Sequence, residues 1–147
     1  REKQMEAATF DMVRMGEMQP EREHNFKGED TYPADFKGRK MRTARSGWFS
    51  VDLAIPQEQA TGLTVEYWGG FPGSKTFDIL VDDVVIKTEN TSNIADGEYI
   101  FTDYDIPEEL TAGKSIVTVK FKAHKGNMAG PVFTVRTVTL LENHLKE

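Results

Sequence analysis

The chain has 147 residues, a formal net charge of −6 and 38% hydrophobic residues, which suits one domain able to bury about 70% of its unfolded surface. Its acids and bases are interspersed, so the phosphate-neutralising surface that nucleic-acid binding requires is absent. No apolar run approaches the roughly 20 residues of a membrane span, and the lack of cysteine excludes disulfides, thiolate zinc sites and thiol nucleophiles.

Residues 1–8 read as a linker or tail with at most a helical turn, and the charged start Arg1-Glu2-Lys3-Gln4 carries no export signal. Thr9-Phe10-Asp11-Met12-Val13 alternates at period two, as a half-buried strand does. The polar stretch 16–45, with Pro20, Gly28, Pro33 and Gly38, is too long for an ordinary connection and reads as a functional loop or packed arm. From Gly47 the pattern is regular: Phe49, Val51, Leu53 and Ile55 mark one buried face before Pro56. Leu63 to Trp68 repeats the alternation and ends at Gly69-Gly70, opening a glycine-rich hairpin loop. Phe77 to Val81 turns at Asp82-Asp83 and restarts as Val84-Val85-Ile86, which predicts a hairpin. Further strands are expected at Tyr99–Tyr104, Ile116–Ala123 and Val132–Leu141, with a helical turn at Pro107-Glu108-Glu109-Leu110 closed by Gly113. About eight short strands with no long 3.6-period segment predict one all-β domain over 1–147. It is an antiparallel sandwich or jelly roll, galactose-binding-domain-like, with its core in 47–141.

Catalytic chemistry finds little support. His24, His124 and His144 lack the spacing that puts two ligands on one helix face, so no transition-metal site is expected. A structural Ca²⁺ near Asp82-Asp83 and Asp96 is the one cofactor left open, although no twelve-residue calcium loop is present. Glycoside hydrolysis needs two placed carboxylates, and a chain with 24 acids offers pairs by abundance alone. No Gly-x-Ser-x-Gly elbow occurs.

The aromatic residues are more informative. With Phe49, Val51 and Leu53 inward, Trp48 points to the other face; with Leu63, Val65 and Tyr67 inward, so does Trp68. Exposed indoles stack on sugar rings while nearby polar groups take the hydroxyls. The candidate sugar-binding set is therefore Trp48, Trp68 and Tyr67 for stacking, with Arg45 and His124 for hydrogen bonds. The competing expectation is that both tryptophans pack under the 16–45 arm or against a neighbouring domain. Arg42, Arg45 and Arg136 are candidates for fixing that arm through Glu21 or Glu23.

An ordered set of motifs runs from about Phe10 to Val138. It comprises Gln19-Pro20-Glu21 with His24, Arg42-x-Ala44-Arg45-x-Gly47-Trp48-Phe49-Ser50, Tyr67-Trp68-Gly69, Phe77 to Asp82, Gly113-Lys114, Val117-Thr118-Val119-x-Phe121, and Gly126-Asn127-x-Ala129-Gly130-x-Val132-Phe133. It resembles the C-terminal β-domain of bacterial β-L-arabinofuranosidase-like proteins, the glycoside hydrolase family 127 group. The resemblance implies a parent enzyme with an (α/α)₆ barrel that holds the active site, this chain being a non-catalytic accessory domain packed against it. It also implies a periplasmic or secreted location. The family's zinc and cysteine nucleophile cannot be carried over, because this chain has no cysteine. The alternative expectation is an autonomous carbohydrate-binding module for plant-type oligo- or polysaccharides.

Overall fold

The computed structural model describes residues 2–140. Two short helices and nine strands follow one another as α1 (Glu2–Ala8), β1 (Thr9–Arg14), α2 (Met18–Glu23), β2 (Lys27–Phe36), β3 (Arg39–Ala54), β4 (Thr61–Trp68), β5 (Thr76–Val81), β6 (Val84–Asn90), β7 (Tyr99–Asp105), β8 (Ile116–Ala123) and β9 (Met128–Thr139). A 3₁₀ turn at Glu108–Leu110 precedes β8. Among the described residues no helix is long and apolar enough to cross a membrane.

Every strand pair is antiparallel, and the hydrogen-bonded order is β6-β5-β8-β3-β9-β4-β7, with β1 beside β9 and β2 beside β3. The sixteen-residue β3 turns this continuous ladder into a sandwich. Its first half pairs β9 at Arg42–Arg45 and its second half pairs β8 at Trp48–Ala54, so it passes from one layer to the other. The result is an antiparallel β-sandwich of jelly-roll type.

Strand alternation places the core. Phe49, Val51 and Leu53 of β3, Phe77, Ile79 and Val81 of β5, and Val117, Val119 and Phe121 of β8 line one inner face. Leu63, Val65 and Tyr67 of β4, with Val132 and Val135 of β9, line the other. All are nearly or fully inaccessible, and each large side chain so buried contributes about 1.5–3 kcal/mol. The Phe49 and Phe121 rings stack at 5.1 Å, and Tyr67 reaches Phe77 across the layers at 6.1 Å.

The expected 16–45 arm is not a loop. It holds α2, all of β2 and the start of β3, and β2 pairs β3 from Lys27↔Ser50 to Phe36↔Arg39. Its strand pattern is faint because β2 is mostly exposed, so no apolar face had to be written into it. The one ladder it makes leaves its outer edge free, where Pro33 is tolerated. A bulge between Glu29 and Thr31 faces Gly47, where a Cβ would overlap the Glu29 carbonyl. Residues 2–8, expected as a tail, form α1. The glycine-rich segment after β4 joins β4 to β5, which do not pair, so it crosses between layers rather than closing a hairpin. The β5–β6 hairpin matches its expectation, with Asp82 and Asp83 both at positive φ (47° and 67°) as a primed two-residue turn requires. The expected end of the last strand at Leu141, and His144, lie outside the described residues.

Candidate functional site

The arm is held by the residues that open the motif series. Glu21 on α2 takes a two-pronged contact from Arg42, Nε to Oε2 at 2.7 Å and Nη2 to Oε1 at 3.0 Å, and also accepts the Gly16 N–H at 2.8 Å. Both partners are buried, and the fork geometry satisfies both carboxylate oxygens. Arg42 lies over the Phe26 ring at 4.2 Å. The C-terminus of α2 closes through Asn25 at φ 53°. His24 then lies between two acceptors, the Pro20 carbonyl at Nδ1 (2.7 Å) and Asp11 Oδ1 at Nε2 (3.0 Å). Only the doubly protonated ring donates to both. Burial works to lower its pKa, but the Asp11 and Pro20 hydrogen bonds outweigh it and hold the pKa above the usual histidine value. Asp11 Oδ2 accepts the Ala54 N–H at 2.8 Å, and the His24 carbonyl accepts the Asp52 N–H at 2.7 Å. With both ring nitrogens committed, His24 is a staple between β1, α2 and β3 and has no free nitrogen for proton transfer to a ligand. Arg42 therefore does what was expected of it. Arg136 instead donates to Thr9 Oγ1 at 3.2 Å, and Arg45 lies exposed at the bend of β3, so the three arginines do not form one cluster.

The five sequence-selected sugar residues are distributed over four places. Tyr67 is 1% exposed inside the sandwich, its hydroxyl 3.0 Å from that of Tyr104, so its ring has no face to offer a ligand. The reason is the alternation itself: Tyr67 shares its face with Leu63 and Val65. Trp68 lies on the outer face of the second layer under the β2–β3 hairpin. Phe36 and Tyr99 approach it at 4.9 and 5.0 Å between centroids, Lys37 stands over it at 4.7 Å, and Gly70 and Gly97 lie against its indole. The packing of this indole under the arm is thus realised, and glycine is needed at 70 because a Cβ would press on Trp68 Nε1 and Gly97. Arg45 stands apart.

Trp48 and His124 both belong to the outer face of the first layer. Register sets Trp48 beside Lys122 and Lys122 beside Asp78. Asp78 Oδ1 accepts from Thr88 Oγ1 at 2.7 Å and meets His124 Nε2 at 2.9 Å. The Thr88 hydrogen bond, aided by His124, holds the Asp78 carboxyl below its usual value against the opposing effect of burial. One row further along, Trp48, Ser50, Thr118, Lys27, Lys120 and the Asp82-Asp83 turn line a shallow groove of about 390 Å³. Lys120 stands 4.7 Å from the Trp48 ring centroid and 3.1 Å from Asp83 Oδ1. Asp82 Oδ1 accepts the Thr118 N–H at 2.8 Å and its Oδ2 pairs with Lys114 at 2.6 Å. An indole edge ringed by ammonium, hydroxyl and carboxylate groups can hydrogen-bond a polyhydroxylated ligand. It offers no nucleophile held by a base.

A Ca²⁺ ion does not fit here. It takes six to eight oxygens, whereas Asp82 and Asp83 are each committed to a different lysine. No group of three or more His, Cys, Asp or Glu capable of holding a metal exists among the described residues. Sequence reasoning missed the Arg39–Glu66 fork (2.7 and 2.7 Å) on the outer face of the second layer, since the two residues come from strands 27 positions apart. It also missed Lys75, which no sequence pattern singles out and which is 6% exposed.

Solved structures share this fold at low identity. A family 35 carbohydrate-binding module from Clostridium thermocellum has a TM-score of 0.53 and 9% identity over 86% of this chain and 95% of that one. A CBM36 module, solved with calcium and xylotriose, gives 0.55 and 13% over 86% and 98%. The exo-β-1,3-galactanase Pc1,3Gal43A of Phanerochaete chrysosporium, solved with galactose, gives 0.56 and 8% over 86% of this chain but 28% of that one. These likenesses establish a fold common to carbohydrate-binding modules. No curated protein matches the chain significantly. Residues 4–138, nearly the whole described structure, match the Family of unknown function (DUF6805), and the chain belongs to that family.

Proposed function

We propose that this chain is a non-catalytic accessory domain of a larger, exported glycoside hydrolase, packing against and supporting its catalytic barrel. The reading is carried by one observation: several of the motif residues that resemble the arabinofuranosidase-like C-terminal domain are spent on internal packing. Glu21, His24, Arg42 and Gly47 brace the arm, and Trp68 fills the space beneath it. Residues used this way preserve a shape. Deleting the domain from the parent enzyme is expected to lower the melting temperature of what remains by at least about 2 °C, since losing roughly 1–2 kcal/mol shifts a large domain by only a few degrees. Unchanged melting and unchanged turnover would refute the proposal.

The Trp48 groove favours a second reading, a glycan-binding module, in keeping with a fold whose CBM36 example holds xylotriose. Titrating arabinose- and galactose-containing oligosaccharides against the chain separates the two. Saturable quenching of tryptophan fluorescence that Trp48→Ala abolishes would establish binding, and a flat response across the panel would remove it.

A further inference from the structure

Lys75 stands one residue before β5, in the segment that crosses between layers. Alternate residues share a face, so its side chain enters the sandwich end beside that of Phe77, and it is 6% exposed. An ammonium buried this deeply is costly unless an acid compensates it. None does: among the described residues no carboxylate pairs with Lys75, and its one polar contact is the thioether of Met128, Nζ to Sδ at 3.8 Å, a weak acceptor. The Phe71 ring lies 5.6 Å away. The charge that does act on Lys75 is of like sign. Burial first, and the Arg45 guanidinium second, lower its pKa. Arg45 too has no carboxylate partner among the described residues.

A second unmet group stands opposite. The Thr91 N–H donates to the Lys75 carbonyl at 3.4 Å, which extends the β5–β6 ladder by one pair beyond Thr76↔Asn90. Residues directly opposite in an antiparallel pair project to the same face. Thr91 is 2% exposed, and its Oγ1 has no hydrogen-bond partner among the described residues. Arg45 pairs with Met128 in the β3–β9 register, so its exposed guanidinium lies toward the same end of the sandwich as Lys75 and Thr91, where no carboxylate among the described residues meets either cation and the Met128 thioether is the one acceptor Lys75 finds.

We propose that Lys75, Thr91 and Arg45 form a binding site for a carboxylate, walled by Phe71 and Met128. A carboxylate fits because its two oxygens accept from the ammonium, the hydroxyl and the guanidinium together. The apolar ring and thioether suit the carbon skeleton that bears it. The site stands apart from the Trp48 groove and is independent of either reading above.

The Met128 methyl group is a reporter inside the site. With methyl-¹³C methionine, the full chain is titrated with acetate, a hexuronate, the matching neutral hexose, phosphate and chloride at constant ionic strength, and the Met128 signal is assigned with Met128→Leu. Acetate is expected to shift that signal saturably, while hexose and chloride leave it in place. Hexuronate acting like acetate identifies an acidic sugar as the source, and acetate alone identifies an acidic side chain of a companion domain. Lys75→Met is expected to abolish the response and to melt no lower than the parent chain, because it removes an uncompensated buried charge; Arg45→Gln should weaken binding about tenfold, as loss of one charge-assisted contact does. Equal shifts with chloride or phosphate, no shift with acetate, or a response retained in Lys75→Met would overturn the site.

Discussion

His24 illustrates how one side chain ties folding to pH. Its two ring nitrogens face a carbonyl and a carboxylate, so the folded state favours the protonated ring, and the folded pKa lies above the unfolded one of about 6.5. The sign follows from linkage: the stabilisation is complete below about pH 6.5 and is lost as pH rises through the folded value. Denaturant midpoints of the parent chain are therefore expected to fall relative to His24→Gln as pH rises from about 6.5 through the folded pKa. An imidazole titration by NMR gives the folded pKa directly, and a value at or below that of a free histidine would contradict the account. In the sequence His24 was visible as a member of the motif series and as a histidine outside any metal spacing, with nothing to name its partners. Its partner Asp11 stands thirteen residues away on β1, and no local pattern joins the two.

At the scale of elements, the β2–β3 hairpin acts as a cover for the outer face of the second layer. Phe36 near its tip meets Trp68 and Phe71, each at 4.9 Å, and Arg39 on its return lies over Tyr99 at 4.6 Å while its fork grips the buried Glu66. Removing Phe36 should loosen the cover without opening the core. Phe36→Ala is expected to cost roughly 2 kcal/mol and to shift the emission of Trp68 to the red, with Trp48→Phe as the background that isolates that signal. Emission unchanged in the mutant would mean that the hairpin does not shield the indole. The strands of the regular half, β4, β5, β7 and β8, were legible because one face of each meets the core and alternation follows from that. The β2 strand was not, because most of its side chains face water.

For the whole molecule, the two end strands of the ladder, β6 and β7, are joined by a chain of hydroxyls that closes the sandwich flank. Tyr67 and Tyr104 share a hydrogen bond at 3.0 Å, and the Tyr104 hydroxyl donates to Glu89 Oε2 on β6 at 2.6 Å. Burial, chiefly, pushes both phenols well above their ordinary range, so they act as neutral donors at any physiological pH. Tyr104→Phe would leave the Tyr67 hydroxyl and the Glu89 carboxylate short of a partner and is expected to cost about 1–3 kcal/mol, measurable by urea denaturation. A loss under a few tenths would show that the flank is held by packing alone.

The sequence by itself determined the fold class, most strand positions, the inward and outward sides of β3 and β4, and the Arg42–Glu21 bond as one of two carboxylate choices. These depend on period-two alternation, on turn chemistry such as Asp82-Asp83, or on opposite charge, all of which are written locally or in residue type. Only the tertiary structure decided that Trp68 is covered while Trp48 borders a groove, and that Lys75 is buried without an acid. Those outcomes depend on which distant strand or hairpin lies over a given face, and an alternating pattern specifies that a side chain points outward without specifying what it meets there.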